Sequence, residues 1–215
     1  DVSSGDLQLT FRSAVGLDSL AGAFDRAIAE IQRQIRAGRI DADTIGYTLP
    51  PFSLDFRAGR NNILNNYLLA RGMGFGQATL TGRTTHGKPF GIQAEINRFS
   101  TQGIVLDTIK AGIGSRNGRL RYFARLGNRP GNMNRLGSIF LDGNASGNSA
   151  LVRLVQLDRQ GRKGLDFGLR GTLTDSAVTV NLVPRRPVFG FSEWSVNGGN
   201  YVRYAFDRSL TADLR

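Results

Sequence analysis

The chain has 215 residues, which is enough for one large domain or two small ones. It carries 28 lysines and arginines against 17 aspartates and glutamates, and the net charge of +11 favours anionic partners such as nucleic acid, phospholipid head groups or acidic glycans. The absence of cysteine excludes disulfide bonds and thiolate metal sites. Because the basic residues are scattered along the sequence, they argue against a dedicated nucleic-acid stripe, and no nucleic acid is expected as a partner.

The chain begins with a predicted short strand over residues 7–12 and a predicted amphipathic helix over residues 17–37. The helix is predicted from apolar residues spaced by three and four positions, namely Leu17, Leu20, Phe24, Ala27, Ile28, Ile31 and Ile35. Asp18 or Ser19 could cap its start, and Gly38 is suited to end it. We expect this helix to pack over a face or an end of a sheet. An interfacial membrane helix is the alternative, although a polar face of mixed charge without tryptophan disfavours it.

A second, shorter helix is predicted over residues 61–71, after a break at 48–51 and a strand at 53–57. Asn61 or Asn62 is the predicted N-cap, and Gly72 follows the end of the helix. The residues expected to face inward are Ile63, Leu64, Tyr67 and Leu68.

From Gly74 onward the sequence predicts almost only β-strands. The clearest example is residues 163–184, where apolar and polar residues alternate on either side of a predicted turn at 174–176. Such alternation places the apolar side chains on one face of each strand. About a dozen strands recur at intervals of about 10–15 residues, which is typical of a β-meander, sandwich or barrel. A turn at the prolines of 184–187 and a further strand over 188–196 are also predicted.

The predicted fold is therefore mainly β, a long antiparallel meander with two helices. We expect a single β-rich domain over residues 1–215, made of an N-terminal strand and helix (1–40) and a β-meander (48–215). The loop at 128–136 is the best candidate for a division, but it is a weak one. Because the alternation continues to the last residue, the chain is interpreted as a fragment of a longer protein. No apolar run approaches the roughly 20 residues of a membrane-spanning helix.

The apolar strand faces have two possible uses. They could meet each other and form an ordinary core, which would produce the same alternation. The strands follow one another as hairpins with few long connections, however, and a meander that curls lengthwise would form a trough with an apolar lining. Acyl chains suit such a trough, because they need continuous apolar surface and no directional contacts. The candidate lining residues are Ile92, Ile96, Leu165, Phe167, Leu169, Leu173, Val178, Val180 and Leu182.

The sequence offers little for catalysis or metal binding. His86, the one histidine, lies in a turn signal. The paired carboxylates Asp41 and Asp43, and likewise Asp6 and Asp18, lie near turns or helix starts, where capping explains them. We therefore expect no catalytic, cofactor-binding or metal site. The one tryptophan, Trp194, is interpreted as a core anchor, with a lipid-facing position as the alternative.

Several segments resemble a known family. They are residues 62–69 followed by 76–82, residues 165–183, and above all residues 187–201, which contain a Trp-x-Val-Asn-x-x-Asn-Tyr pattern from Trp194 to Tyr201. On these segments, the region from about Asn61 to Arg215 is similar to the C-terminal domain of TamB (translocation and assembly module) proteins of the AsmA-like family. The similarity is to the type found in Gram-negative bacteria of the Bacteroidetes.

The resemblance implies a sheet curled into a taco-shaped groove or half-barrel with an apolar interior. It implies a protein anchored in the inner membrane that spans the periplasm, resembles bridge-like lipid transport proteins and passes phospholipid toward the outer membrane during outer-membrane biogenesis. A BamA-like outer-membrane barrel is the implied protein partner. The family has no catalytic residues, so none is carried over.

The expected function is therefore to shield phospholipid acyl chains in transit. The alternative is a chaperone-like scaffold that offers sheet edges to outer-membrane β-barrel proteins during assembly. A fragment of an outer-membrane barrel is a third class, which the low aromatic content and the early helix disfavour. An enzyme is the least favoured class.

Overall fold

The computed structural model describes residues 1–85, 89–128 and 137–215. The predicted turn at His86 and most of the predicted loop at 128–136, namely residues 129–136, lie outside the described residues.

All the strands of the described residues belong to one open antiparallel sheet of 15 strands, so the predicted mainly β meander is confirmed. The strands are β1 Val2–Ser4, β2 Leu7–Ser13, β3 Phe52–Ala58, β4 Met73–Gly74, β5 Gln77–Thr84, β6 Gly91–Thr101, β7 Ile104–Arg116, β8 Arg119–Gly127, β9 Ser138–Ser146, β10 Ser149–Leu157, β11 Lys163–Leu173, β12 Ala177–Phe189, β13 Ser192–Glu193, β14 Tyr201–Ala205 and β15 Leu210–Asp213. They pair in chain order, except that the short β4 pairs with β6 and the short β13 with β12. From β5 to β12 successive strands are direct neighbours, whereas α1 and α2 lie between β2 and β3, and α3 lies between β3 and β5.

The first helix, α1, covers Leu17–Arg36, close to its predicted bounds. Gly38 follows it with a φ of 64°, which is the left-handed conformation expected after a helix end. The predicted cap is wrong, because Gly16 is the N-cap and makes no side-chain hydrogen bond.

A second helix, α2, covers Ala42–Thr48 and was not predicted. Its N-cap is Asp41, whose side chain accepts hydrogen bonds from the backbone of Asp43 and Thr44. The seven residues are too few for a clear helical repeat of apolar positions, and this explains why the sequence pattern does not reveal the helix.

The last helix, α3, covers Ile63–Leu69 and has the predicted cap, since the Asn62 side chain accepts from the Asn65 amide at 2.9 Å. Its orientation differs from the prediction. Leu68 packs against a core cluster, but Ile63, Leu64 and Tyr67 are 71%, 37% and 56% exposed. The prediction that Ile63, Leu64 and Tyr67 face inward is therefore wrong.

The predicted turn at 184–187 and the predicted strand at 188–196 are also wrong. Instead, β12 continues through Pro184 and Pro187 to Phe189. The register between β12 and β11 shifts between Asp166 and Gly168, opposite these prolines. Prolines are tolerated at such an irregularity, because no ladder hydrogen bond is required from their nitrogen atoms.

The buried core is divided between the two ends of the sheet. At one end, α1 and α2 pack on the sheet through a cluster of Ala27, Ile45, Leu49 and Phe90, with Leu120 against it. The backbone of Ile40 bonds to the turn at Gly147, and Ala42 donates to Gly118. We call this the α1 end. At the opposite end, Leu68 of α3 packs on a cluster of Ala58, Phe75 and Ala78.

Candidate functional site

Most apolar side chains of the strands share one face of the sheet, which we call the apolar face. Directly paired residues of antiparallel strands project to the same face, and the face alternates along each strand. One row of direct partners crosses six strands and is apolar but for one glutamine: Ile96, Ile109, Leu126, Ile139, Gln156 and Leu165. This row connects the predicted lining residues of β6 with those of β11.

The register carries the same face into β12. Leu169 pairs with Leu182, and Leu173 pairs with Val178. Val180 pairs with Gly171, which lies on the same face of β11. The structure therefore brings all nine predicted lining residues to one face: Ile92, Ile96, Leu165, Phe167, Leu169, Leu173, Val178, Val180 and Leu182.

None of these nine residues is buried. Leu169 is 41% exposed, and the other eight are half-buried. Ile113, also on this face, is 42% exposed. Since the described strands form one sheet, no second sheet of the described residues covers this surface. The nine residues therefore keep part of their surface accessible.

The helices border the apolar face. At the α1 end, the Phe24 ring of α1 lies 5.9 Å from the ring of Phe52 in β3, and Gly38 packs against the Leu173 side chain of β11. The apolar stripe of α1 is only partly buried, since Ile28 and Ile35 remain 52% and 62% exposed. The helix thus adds further apolar surface beside the sheet.

The opposite face of the sheet is polar and carries most of the strand ion pairs. Lys110 lies 3.2 Å from Glu95, and Arg125 lies 3.7 Å from Asp142. These pairs connect neighbouring strands, and half-exposed pairs of this kind contribute about 0–1 kcal/mol each. The separation of the faces is incomplete, because Phe140 pairs directly with Arg125 and Phe123 with Asp142, so both rings lie on this face and neither is buried.

Asp166 is the most buried charge on this polar face, with 4% of its side chain exposed. Arg153 donates two hydrogen bonds to Oδ1, at 2.7 and 2.9 Å, and Lys163 donates to Oδ2 at 2.7 Å. Burial by itself raises the pKa of Asp166, but the hydrogen bonds from Lys163 and Arg153 outweigh it and hold the pKa below 3.8. The carboxylate links β10 to β11.

The other carboxylates singled out in the sequence have structural contacts. The hydroxyl of Thr44 donates to Asp41 and is the main reason that the pKa of Asp41 is lowered. Asp6 accepts from the Asn61 amide at 2.9 Å, and this bond lowers the pKa of Asp6. Both contacts agree with the capping and turn roles predicted for them.

Trp194 is 60% exposed, so its interpretation as a core anchor is wrong. The buried residue of the Trp194–Tyr201 segment is Asn200, whose side chain forms a hydrogen bond with β12.

Among the described residues, no cluster of three or more His, Cys, Asp or Glu side chains is arranged to hold a metal ion. None of the described helices is both long and apolar enough to cross a membrane.

Comparison with protein-family models, with curated proteins and with solved structures yields no match.

Proposed function

We propose that the apolar face binds the acyl chains of phospholipids and shields them from water during transport between two membranes. The observation that supports this proposal is the set of nine apolar residues that lie on one face of a single sheet without being buried. Large exposed apolar surfaces in proteins commonly mark binding grooves or contacts with lipid and protein. Acyl chains fit the surface because it offers almost no directional polar groups along the row from Ile96 to Leu165.

The path of α1 supports a sheet that curls around its apolar face into a groove. The contacts made by Phe24 in α1 and by Gly38, two residues after the helix, are 14 residues apart, about 21 Å at ~1.5 Å per helical residue. They reach β3 and β11, which are seven steps apart in the sheet. Seven steps of ~4.8 Å correspond to about 34 Å across a flat sheet. The shorter helical path is the chord expected of a curved sheet.

The proposed mechanism is passive. Each methylene group that leaves water for the apolar face gains about 0.8 kcal/mol when fully buried, and the gain is similar at each position along the face. A chain can therefore slide without breaking specific bonds. The polar head groups would stay at the open side, in water. In the cellular setting, we propose a periplasmic segment of an inner-membrane-anchored, TamB-like protein that acts with a BamA-like outer-membrane barrel.

Mass spectrometry of an organic extract of the purified chain tests the proposal. We expect phospholipid in the wild-type extract and much less from Val180→Asp, which places a charge on the apolar face. Thr179→Asp is the matched control, because Thr179 is the preceding residue and lies on the polar face. Circular dichroism would check that both variants fold. Equal phospholipid in the two variants, or none in the wild-type extract, would contradict the proposal.

The open sheet edge favours a second candidate, a scaffold for barrel strands. Among the described strands, β15 has one neighbour, β14, and Leu210 is 67% exposed. An unpaired edge can accept another strand through its backbone groups. Capture of a strand peptide from an outer-membrane barrel protein by a lipid-free sample would favour this function over lipid shielding.

A further inference from the structure

Two adjoining clefts lie where the end of α1 meets the sheet. The first has a volume of about 310 Å³ and lies against the apolar face. Its apolar lining side chains are Ile35, Ile40, Ala150, Leu173 and Val178. This volume is at the lower limit of about 300–1,000 Å³ for small-molecule sites. The volume of the first cleft is therefore large enough for part of one acyl chain.

The second cleft has a volume of about 530 Å³ and carries charged side chains. Gly38, Asn148 and Leu173 line both clefts, so the two clefts are direct neighbours. The charged residues of its lining are Arg36, Arg39 and Asp175. The neighbouring clefts thus place an apolar surface beside side chains of both charges.

These charges are not all used within the fold. Arg36 and Asp175 make no ion pair with any residue in the described ranges of the chain. Arginine suits phosphate because its guanidinium group donates two parallel hydrogen bonds. Arg36 also lies in the last turn of α1, where the helix carbonyl groups favour positive charge nearby. A ligand with phosphate and ammonium groups would complement both signs of charge.

We propose that the adjoining clefts form a binding site for a phospholipid with a phosphoethanolamine head group. One acyl chain occupies the first cleft, the phosphate contacts Arg36 and Arg39, and the ammonium group contacts Asp175. The inference rests on the proposed function and makes it more specific, since it names a head group and a position on the sheet. Lipid that slides along the apolar face would pause at the α1 end.

Calorimetric titration with oleoyl lysophosphatidylethanolamine, below its micelle-forming concentration, tests the site in the full chain. We expect Arg36→Gln to weaken binding about 10-fold, because a charge-assisted hydrogen bond is lost. Ile35→Asp should weaken it at least as much, by placing a charge in the first cleft. Arg26→Gln is the control: Arg26 is exposed on the same helix but lines neither cleft, so binding should not change. All three positions are exposed, so the variants should fold.

The choice of head group has its own test. Wild type should bind oleoyl lysophosphatidylethanolamine more tightly than oleoyl lysophosphatidylglycerol, and Asp175→Asn should remove that preference. If Arg36→Gln binds like the wild type, or if Asp175→Asn keeps the preference, the site is wrong. If phospholipid is still extracted from the wild type in that case, only the site fails. If no lipid binds the wild type by either measurement, the proposed function fails with it.

Discussion

The side chain of Asn200 pairs with the backbone of Leu182 as a strand residue would. Its Oδ1 atom accepts from the Leu182 amide at 2.6 Å, and its Nδ2 atom donates to the Leu182 carbonyl at 3.0 Å. Asn200 is 4% exposed and also donates to the carbonyl of Asn197. The side-chain amide of Asn200 thus holds the segment before β14 against β12. It does so at Leu182, which is a residue of the apolar face.

Replacing this buried amide should destabilise the fold. We expect Asn200→Ala to lower the free energy of unfolding by about 2–4 kcal/mol, because two hydrogen bonds to the Leu182 backbone and the packing of a buried side chain are lost. Urea denaturation measures the change. Asn66→Ala, at an exposed position of α3, is the control and should shift the value by about 0.5 kcal/mol or less. Equal effects of the two substitutions would show that the pairing with Leu182 contributes nothing.

Asp166 should give the stability of the fold a dependence on acidic pH. Its pKa in the folded chain is below the ordinary value of 3.8, because Lys163 and Arg153 donate to the carboxylate. The stabilisation is therefore fully present above about pH 4 and is lost as the pH falls through the lowered folded pKa. Asp166→Asn should lower the free energy of unfolding by about 1–3 kcal/mol at pH 7, since both cations are half-exposed.

The pH dependence distinguishes this charge effect from a packing effect. The difference in urea stability between wild type and Asp166→Asn should be smaller at pH 3 than at pH 7. Asp142→Asn is the control, because the Asp142 carboxylate is half-exposed and lies 3.7 Å from its arginine. If Asp166→Asn lowers the free energy of unfolding equally at both pH values, the loss comes from altered packing and not from the lost charge.

Tyr122 and Gly143 should be coupled in stability. The Tyr122 ring lies over Gly143, its direct partner in β9, and its hydroxyl donates to the Leu151 carbonyl of β10 at 3.1 Å. A Cβ atom at residue 143 would collide with the ring and displace it. Gly143→Ala should therefore cost about 1–3 kcal/mol in the wild-type background and much less when Tyr122 is alanine. A double-mutant cycle by urea denaturation measures this, and additive effects would contradict the coupling.

Gln34 should hold the two helices of the α1 end together. It is 2% exposed, and its side chain accepts from the Asp41 amide at 2.7 Å and donates to the Asp41 carbonyl at 3.1 Å. In Gln34→Ala, we expect faster amide hydrogen exchange in residues 17–48 and little change in β11 and β12, because the link between α1 and α2 is lost. Gln32→Ala, at an exposed position of α1, should leave exchange at the wild-type rate. Unchanged exchange in Gln34→Ala would show that the link is not required.

Much of the fold is predictable from alternation alone. The hairpin of β11 and β12 follows from apolar residues such as Leu169 and Val180 at every second position, and Gly38 marks the end of α1. The failures have local causes. Pro184 and Pro187 indicate a turn by their chemistry, but the shifted register of β12 accepts them within a strand.

The apolar face is predictable only in part. Alternation assigns Phe167 and Leu182 to one side of their strands, but it cannot show whether another layer covers them. The exposure of Ile28 and Ile35 was not predictable for the same reason, because an apolar stripe has the same sequence whether the helix is fully or partly buried. Trp194 was predicted to be buried because large aromatic residues usually are, but it is exposed here.

The most direct test of lipid binding compares two adjacent residues of β11. Leu169 lies on the apolar face and is 41% exposed, whereas Arg170 is exposed on the polar face. A photo-crosslinking amino acid at each position, irradiated in the presence of phospholipid vesicles, should give a phospholipid adduct at residue 169 and almost none at residue 170. Equal adducts at both positions, or adducts only at residue 170, would contradict an apolar face that receives acyl chains.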